Sequence, residues 1–196
     1  MIKMDYNKIK NNLFKLAHSL SATTLSGLYI YYPNAITKNL LFIISESYFV
    51  IDTITLMKSE KIEYPLIYHH VLAMILLYCF YIDYYGDLLI YLYSMAELSN
   101  IFMYISYHLI KTSSSEILII GSNILQTFIY GYLRIYCFTD ILIKNLDIVF
   151  TTPLFLFLGI YLMGFVWTIA LCKQIHLERL TIRYFIVDSC DKLLQN

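Results

Sequence analysis

Residues 39–57 read NLLFIISESYFVIDTITLM, and after the charged break Lys58-Ser59-Glu60-Lys61 the chain resumes at 65–82 with PLIYHHVLAMILLYCFYI. Each run is close to the ~20 apolar residues with which a helix crosses a bilayer core. Each also carries groups that hydrocarbon does not dissolve: Glu46 and Asp52 in the first, the adjacent His69 and His70 in the second. Two such runs in succession predict membrane-crossing helices with one polar side turned away from lipid.

Working outward, four more runs of similar length follow the same rule, at 13–32, 87–110, 116–136 and 148–172, giving six expected spans. The breaks between them are turn-forming or charged: Pro33-Asn34, Asp83 with Gly86-Asp87, Lys111 to Glu116, and Thr139 to Asp147. Pro65 suits the first turn of the third helix. The first span is the least apolar, because His18, Ser19, Ser21, Thr23 and Thr24 interrupt it. Over the whole chain, 59% of residues are hydrophobic and only 14% charged, against about one quarter charged in ordinary soluble domains. A globule this apolar could not cover its own surface, so the expected fold class is all-α, a polytopic membrane helix bundle of about six transmembrane helices.

Charge sets the expected orientation. Of the 14 Lys and Arg residues, eleven fall at alternate ends of the spans, among them Lys3, Lys15, Lys58, Lys61, Lys111 and Lys173. The opposite side holds Lys38 and Lys144, with Arg134 just inside a helix. The excess of basic residues marks the cytosolic side, which places both termini there. The polar stretch 1–12 is read as a cytosolic segment rather than a removable signal, 13–172 as one transmembrane domain, and 173–196 as a cytosolic tail. Basic and acidic residues balance at 14 each, so the composition shows neither a nucleic-acid footprint nor a basic membrane-surface patch. Cys79, Cys137, Cys172 and Cys190 contain no CxxC pair and read as small hydrophobes.

Polar residues within the spans fall into stripes. Ser45, Tyr48, Asp52 and Thr55 recur at helical spacing on the second helix, with Glu46 about 100° away around the axis. Tyr93, Glu97, Asn100, Tyr104 and His108 share a face of the fourth, and Asn123, Gln126, Thr127, Tyr130 and Arg134 a face of the fifth. Three inward polar stripes imply a polar or partly hydrated interior. Asn123, Gln126 and the hydroxyl residues are read mainly as hydrogen-bonding glue between helices. Asp52, Glu97 and the histidines call for more, since a carboxylate at that depth is costly without a return.

His69 and His70 lie about a turn in from the cytosolic start of the third helix, Asp52 is equally deep on the second, and His18 lies near the same end of the first. A carboxylate accepting from one imidazole nitrogen would fix the ring tautomer and raise its basicity, as a general base or nucleophilic histidine requires. Candidate catalytic residues are therefore His69, His70 and Asp52. The candidate lipid or substrate cavity is assigned to His18, Glu46, Tyr48, Tyr93, Glu97, Asn100, Gln126, Tyr130 and Arg134. Adjacent histidines on a helix diverge and do not converge on one ion, so neither a metal site nor a cofactor is expected.

The ordered set Ser47-Tyr48-Phe49-Val50-Ile51-Asp52, Tyr68-His69-His70, Ala96-Glu97-Leu98-Ser99-Asn100-Ile101-Phe102 and Gln126 to Arg134, with His18 ahead of them, resembles the TLC domain. That membrane domain is shared by ceramide synthases, the translocating-chain-associated membrane proteins and small TLC-domain proteins linked to membrane lipid composition. The chain looks most similar to the last group. Ceramide synthases follow the His-His pair with a His-Asp motif and a further Asp, and the aligned residues here are Ala96, Glu97 and Asn100. The resemblance therefore implies a multi-pass protein of the endoplasmic reticulum or a related endomembrane. It would bind or handle a membrane lipid, whether sphingolipid, fatty acyl or phospholipid, and influence membrane lipid composition. The alternatives are a ceramide-synthase-like N-acyltransferase, with His69 or His70 as base or nucleophile assisted by Asp52, and a cargo or translocation partner.

Overall fold

The computed structural model describes residues 6–59, 62–112, 115–145 and 156–176, and the regular structure among them is helical throughout. The order is α1 (Tyr6–Tyr31), α2 (Ala35–Met57), α3 (Tyr64–Tyr81), α4 (Gly86–Lys111), α5 (Glu116–Gly131), a π-helical turn (Tyr132–Cys137) and α6 (Phe138–Lys144). The last helix, α7, spans Leu156–His176. Helices α2, α3, α4 and α7 are each long and apolar enough to cross a membrane. The fold is an all-helical membrane bundle.

Local chemistry explains the boundaries. Asn34 caps α2 by accepting from the Thr37 backbone N–H at 2.8 Å. Pro65 lies in the first turn of α3, where its missing N–H costs nothing. Between α3 and α4 the chain reverses tightly, with Asp83 and Tyr85 at φ of 62° and 54°. Lys38, at the start of α2, closes over this turn by pairing with Asp83.

Two of the expected spans take a different form. The fifth continues through the π turn into α6, so helix replaces the loop read from Thr139 onward. Thr139 Oγ1 returns a hydrogen bond to the Ile135 carbonyl at 2.6 Å, and Lys144 pairs with Asp140 one turn back at 2.7 Å, so these polar residues prolong the helix. The first span belongs to a longer helix: α1 begins at Tyr6 and runs 26 residues, about 39 Å at the usual rise. The opening of the sixth span, 148–155, lies outside the described residues.

Polarity is distributed as in a membrane protein. Ile43, Val50 and Ile54 on α2 and Leu162, Val166 and Ile169 on α7 are exposed, while Arg134, Asp52, Glu97, Asn123 and Gln126 are buried. A water-soluble fold would invert this pattern, because nothing but hydrocarbon rewards such an exterior. Inside, the bundle has two halves. One is filled by Leu72, Leu76, Leu77 and Phe80 of α3 against Leu89 and Leu92 of α4, Phe138 of α6 and Phe157 of α7. Gly159 lets α7 approach α3 there, since a Cβ at that position would lie 3.0 Å from Leu72 Cδ1. The other half, where α1 starts, α2 ends, α3 starts and α7 ends, is open.

Candidate functional site

A chamber of about 630 Å³ occupies the open half, within the ~300–1,000 Å³ typical of small-molecule sites. Its walls mix charge and grease. Lys15, Asp52, His69, His70 and Glu97 face it alongside Phe49, Leu66, Met103, Trp167 and Leu171. Deeper in the bundle lies a second, smaller space of about 50 Å³, lined by Leu76, Leu77, Phe80, Leu89 and Leu92 and, at its polar edge, by His69, Glu97 and Arg134. Phe49, His69 and Glu97 line both, so they stand at the junction.

Each charged group reaches this interior from a different helix. Asp52, on the buried face of α2, is 2% exposed and accepts from Lys15 of α1 at 2.9 Å. The same carboxylate oxygen lies 3.6 Å from His70 Nε2, beyond hydrogen-bonding distance. Asp52 therefore bonds to a lysine, where the sequence suggested an imidazole, and His70 Nδ1 meets Thr53 Oγ1 at 3.3 Å. His69, one residue earlier, turns toward α7 and packs edge-on against Trp167 at 5.3 Å. Its Nδ1 is buried and has no hydrogen-bond partner among the described residues.

Glu97 of α4 accepts from Ser19 of α1 at 2.7 Å, with His18 Nε2 at 3.9 Å from the same oxygen. His18 itself lines neither space. It stacks flat on Tyr48, with centroids 3.7 Å apart and planes at 8°, and so supports the wall from behind. Tyr93 lines the inner space and donates to Ser45 at 2.7 Å.

Arg134 is 1% exposed and sits in the π turn. A π turn widens the helix by one residue and recurs at functional sites. Gly164 of α7 packs beside it, its would-be Cβ 3.5 Å from Arg134 Cβ. The guanidinium donates to Ser99 Oγ at 3.0 Å, to the Ala96 carbonyl at 3.1 Å and to Asn100 Oδ1 at 3.2 Å, tying the π turn to α4. It also lies over the Tyr130 ring, 5.4 Å from its centroid.

Of the residues singled out from sequence, Tyr48, Asp52, His69, His70, Glu97, Asn100 and Tyr130 line the larger chamber, and Tyr93 and Arg134 the smaller. Glu46 and Gln126 line neither: Gln126 is buried elsewhere, and Glu46 is half-buried, its Oε1 lacking a partner among the described residues. Sequence reasoning missed Lys15, Ser19, Thr53, Ser99 and Trp167. Lys15 was counted only as a topogenic charge. Ser19 was counted only against the hydropathy of its span, yet Asn12, Lys15, His18, Ser19, Ala22 and Ser26 recur at helical spacing and form the inward face of α1. That periodicity was the available signal.

The sequence model of the TLC domain matches residues 8–175, which covers nearly all of α1 to α7. Neither the curated proteins nor the solved structures contain a match to the chain. A match over so much of the length shows the family: the chain belongs to the TLC-domain family of integral membrane proteins, which is linked to lipid handling.

Proposed function

We propose that this protein admits a single lipid molecule to its interior and, by holding or moving it, influences the lipid composition of an endomembrane such as the endoplasmic reticulum, with both termini cytosolic. One observation carries the reading: a chamber of about 630 Å³, walled by both charged and apolar side chains, inside a bundle whose outer surface is hydrocarbon-compatible. An amphiphile is the ligand class that satisfies both kinds of wall. The test is mass spectrometry of lipids that copurify with the protein, compared with those retained by Ala170→Trp, which places a large ring in the chamber wall. Lipid near one molecule per chain in the parent protein and its loss in the variant are expected. Equal lipid in both would mean that it coats the outside of the bundle, and the proposal would fall.

A second reading, N-acyl transfer from an acyl-CoA, is favoured by the presence of His69, His70 and Asp52 in the lining of one chamber. It ranks lower for a geometric reason. Ala96, aligned with the histidine of the ceramide-synthase His-Asp motif, lines the inner space, so the missing imidazole would have stood inside it. In its place is a methyl group.

A further inference from the structure

Three buried polar atoms on the chamber walls have no hydrogen-bond partner among the described residues: Arg134 Nη1, His69 Nδ1 and the Tyr130 hydroxyl. They come from three separate elements, the π turn, α3 and α5. Arg134 and His69 line the same small inner space, Tyr130 and His69 the larger one, and the Tyr130 ring lies under the guanidinium. Buried polar groups are ordinarily satisfied, so three orphans around one junction ask for an explanation.

The guanidinium adds a question of charge. Its three acceptors, Ser99, the Ala96 carbonyl and Asn100, are all neutral, and among the described residues no carboxylate lies within ion-pair distance of it. Glu97 lines the same inner space, but its carboxylate accepts from Ser19, and Asp52 accepts from Lys15. A buried cation without a counter-ion is expensive.

We infer that this junction is a binding site for a lipid carboxylate, with Arg134 as its anchor and Tyr130 and His69 completing the cradle. The inference rests on the lipid-binding reading and names the head group that reading leaves open. A carboxylate supplies the missing negative charge, and its two oxygens offer enough lone pairs for all three atoms, whereas a hydroxyl or ester does not supply the charge. Volume fixes the direction of entry. The inner space, at about 50 Å³, is a third of the ~150 Å³ cavity that admits a benzene ring, so it is too small for a chain, and the carboxylate lies at its polar edge, where Arg134 and His69 face it. The chain then lies in the larger chamber, along Phe49, Leu66, Met103, Trp167 and Leu171. The ligand class is a single-chain fatty acid.

The test uses the full chain in lipid nanodiscs and measures competition by palmitic acid, methyl palmitate and hexadecanol against a fluorescent fatty-acid probe. The parent protein should bind palmitic acid at least about tenfold more tightly than the ester or the alcohol, the scale of one charge-assisted hydrogen bond. Arg134→Gln should bind all three alike, at the level of the alcohol. Because that change also removes bonds to α4, Tyr130→Phe provides a gentler control, deleting one hydroxyl and reducing the preference for the acid over the alcohol severalfold. Equal affinity of the parent protein for the three heads would overturn the inference and leave lipid binding standing, as would happen if water alone filled the inner space. Failure of all three to compete would overturn both.

Discussion

Lys15 offers the sharpest perturbation, because it is the cation that holds α1 against α2 at the chamber wall. Its ammonium lies 2.9 Å from Asp52 Oδ2, with the lysine side chain 17% exposed and the aspartate 2%. At an effective dielectric of ~20 the Coulomb attraction at that distance is at most about 6 kcal/mol, and desolvation of both ions consumes much of it. The cost of removing one partner is nonetheless large, ~3–5 kcal/mol for a buried pair, because the other charge is left behind. Partial exposure of Lys15 puts Lys15→Met at the lower end, about 3 kcal/mol. His70, at 3.6 Å, is then the nearest cation-forming group left to Asp52. Replacing both partners, Lys15→Met with Asp52→Asn, should recover most of the loss, with a coupling of ~2 kcal/mol in the double-mutant cycle. Reversible unfolding in mixed detergent micelles, followed by helical circular dichroism, measures all four proteins. A penalty for Lys15→Met below ~0.5 kcal/mol, the scale of an exposed surface pair, would refute the burial argument and with it the closure of the chamber by α1.

Gly159→Ala should destabilise the bundle by about 1–2 kcal/mol in the same assay, since its new methyl would stand 3.0 Å from Leu72 Cδ1 and 3.1 Å from the Tyr68 hydroxyl, while Gly164→Ala, with its nearest contact at 3.5 Å, should shift stability by less than ~0.5 kcal/mol. Equal costs at the two glycines would disprove the close approach of α7 to α3. Single cysteines at Ser59 and Ser114 should react with an impermeant thiol reagent from the cytosol and those at Asn34 and Asn145 should not; the reverse pattern would overturn the charge-based orientation. Microsomes free of endogenous ceramide synthases, supplied with this protein, a long-chain acyl-CoA and a sphingoid base, should form no N-acylated product, because Ala96 leaves the inner space without the third imidazole. Product that disappeared in His70→Gln would put acyl transfer ahead of lipid holding.

The difference between what was legible in the sequence and what was not follows from how helices encode contacts. Spacing along one helix identifies a face, so Ser45, Tyr48 and Asp52 were readable as one inward stripe, and all three are buried. Thr55, the next in that register, is exposed and bonds back to Ile51, so the period outruns the buried stripe. What spacing cannot supply is the partner. Lys15 and Asp52 are 37 residues apart and Ser19 and Glu97 are 78 apart, and no local pattern links either pair. Low hydropathy in α1 marks an interior face as well as a weak span: Asn12, His18, Ser19 and Ser26 are buried, and the helix is not among those apolar enough to cross a membrane. Arg134 is legible as an inward residue of the α5 stripe, but its partners are not. An ideal α-helix lets its direction be extrapolated from Tyr130 four residues earlier, but the π turn inserts extra rotation between the stripe of α5 and the core residue Phe138 of α6. Three neutral acceptors on α4 and a glycine on α7 hold the arginine in that turn, and none of them lies within thirty positions of it on the α4 side or can be inferred from the period of α5. The residue with the most to say about the ligand is therefore the one whose orientation depends most on the assembled bundle, which is why its free donor emerged only when the helices were seen together.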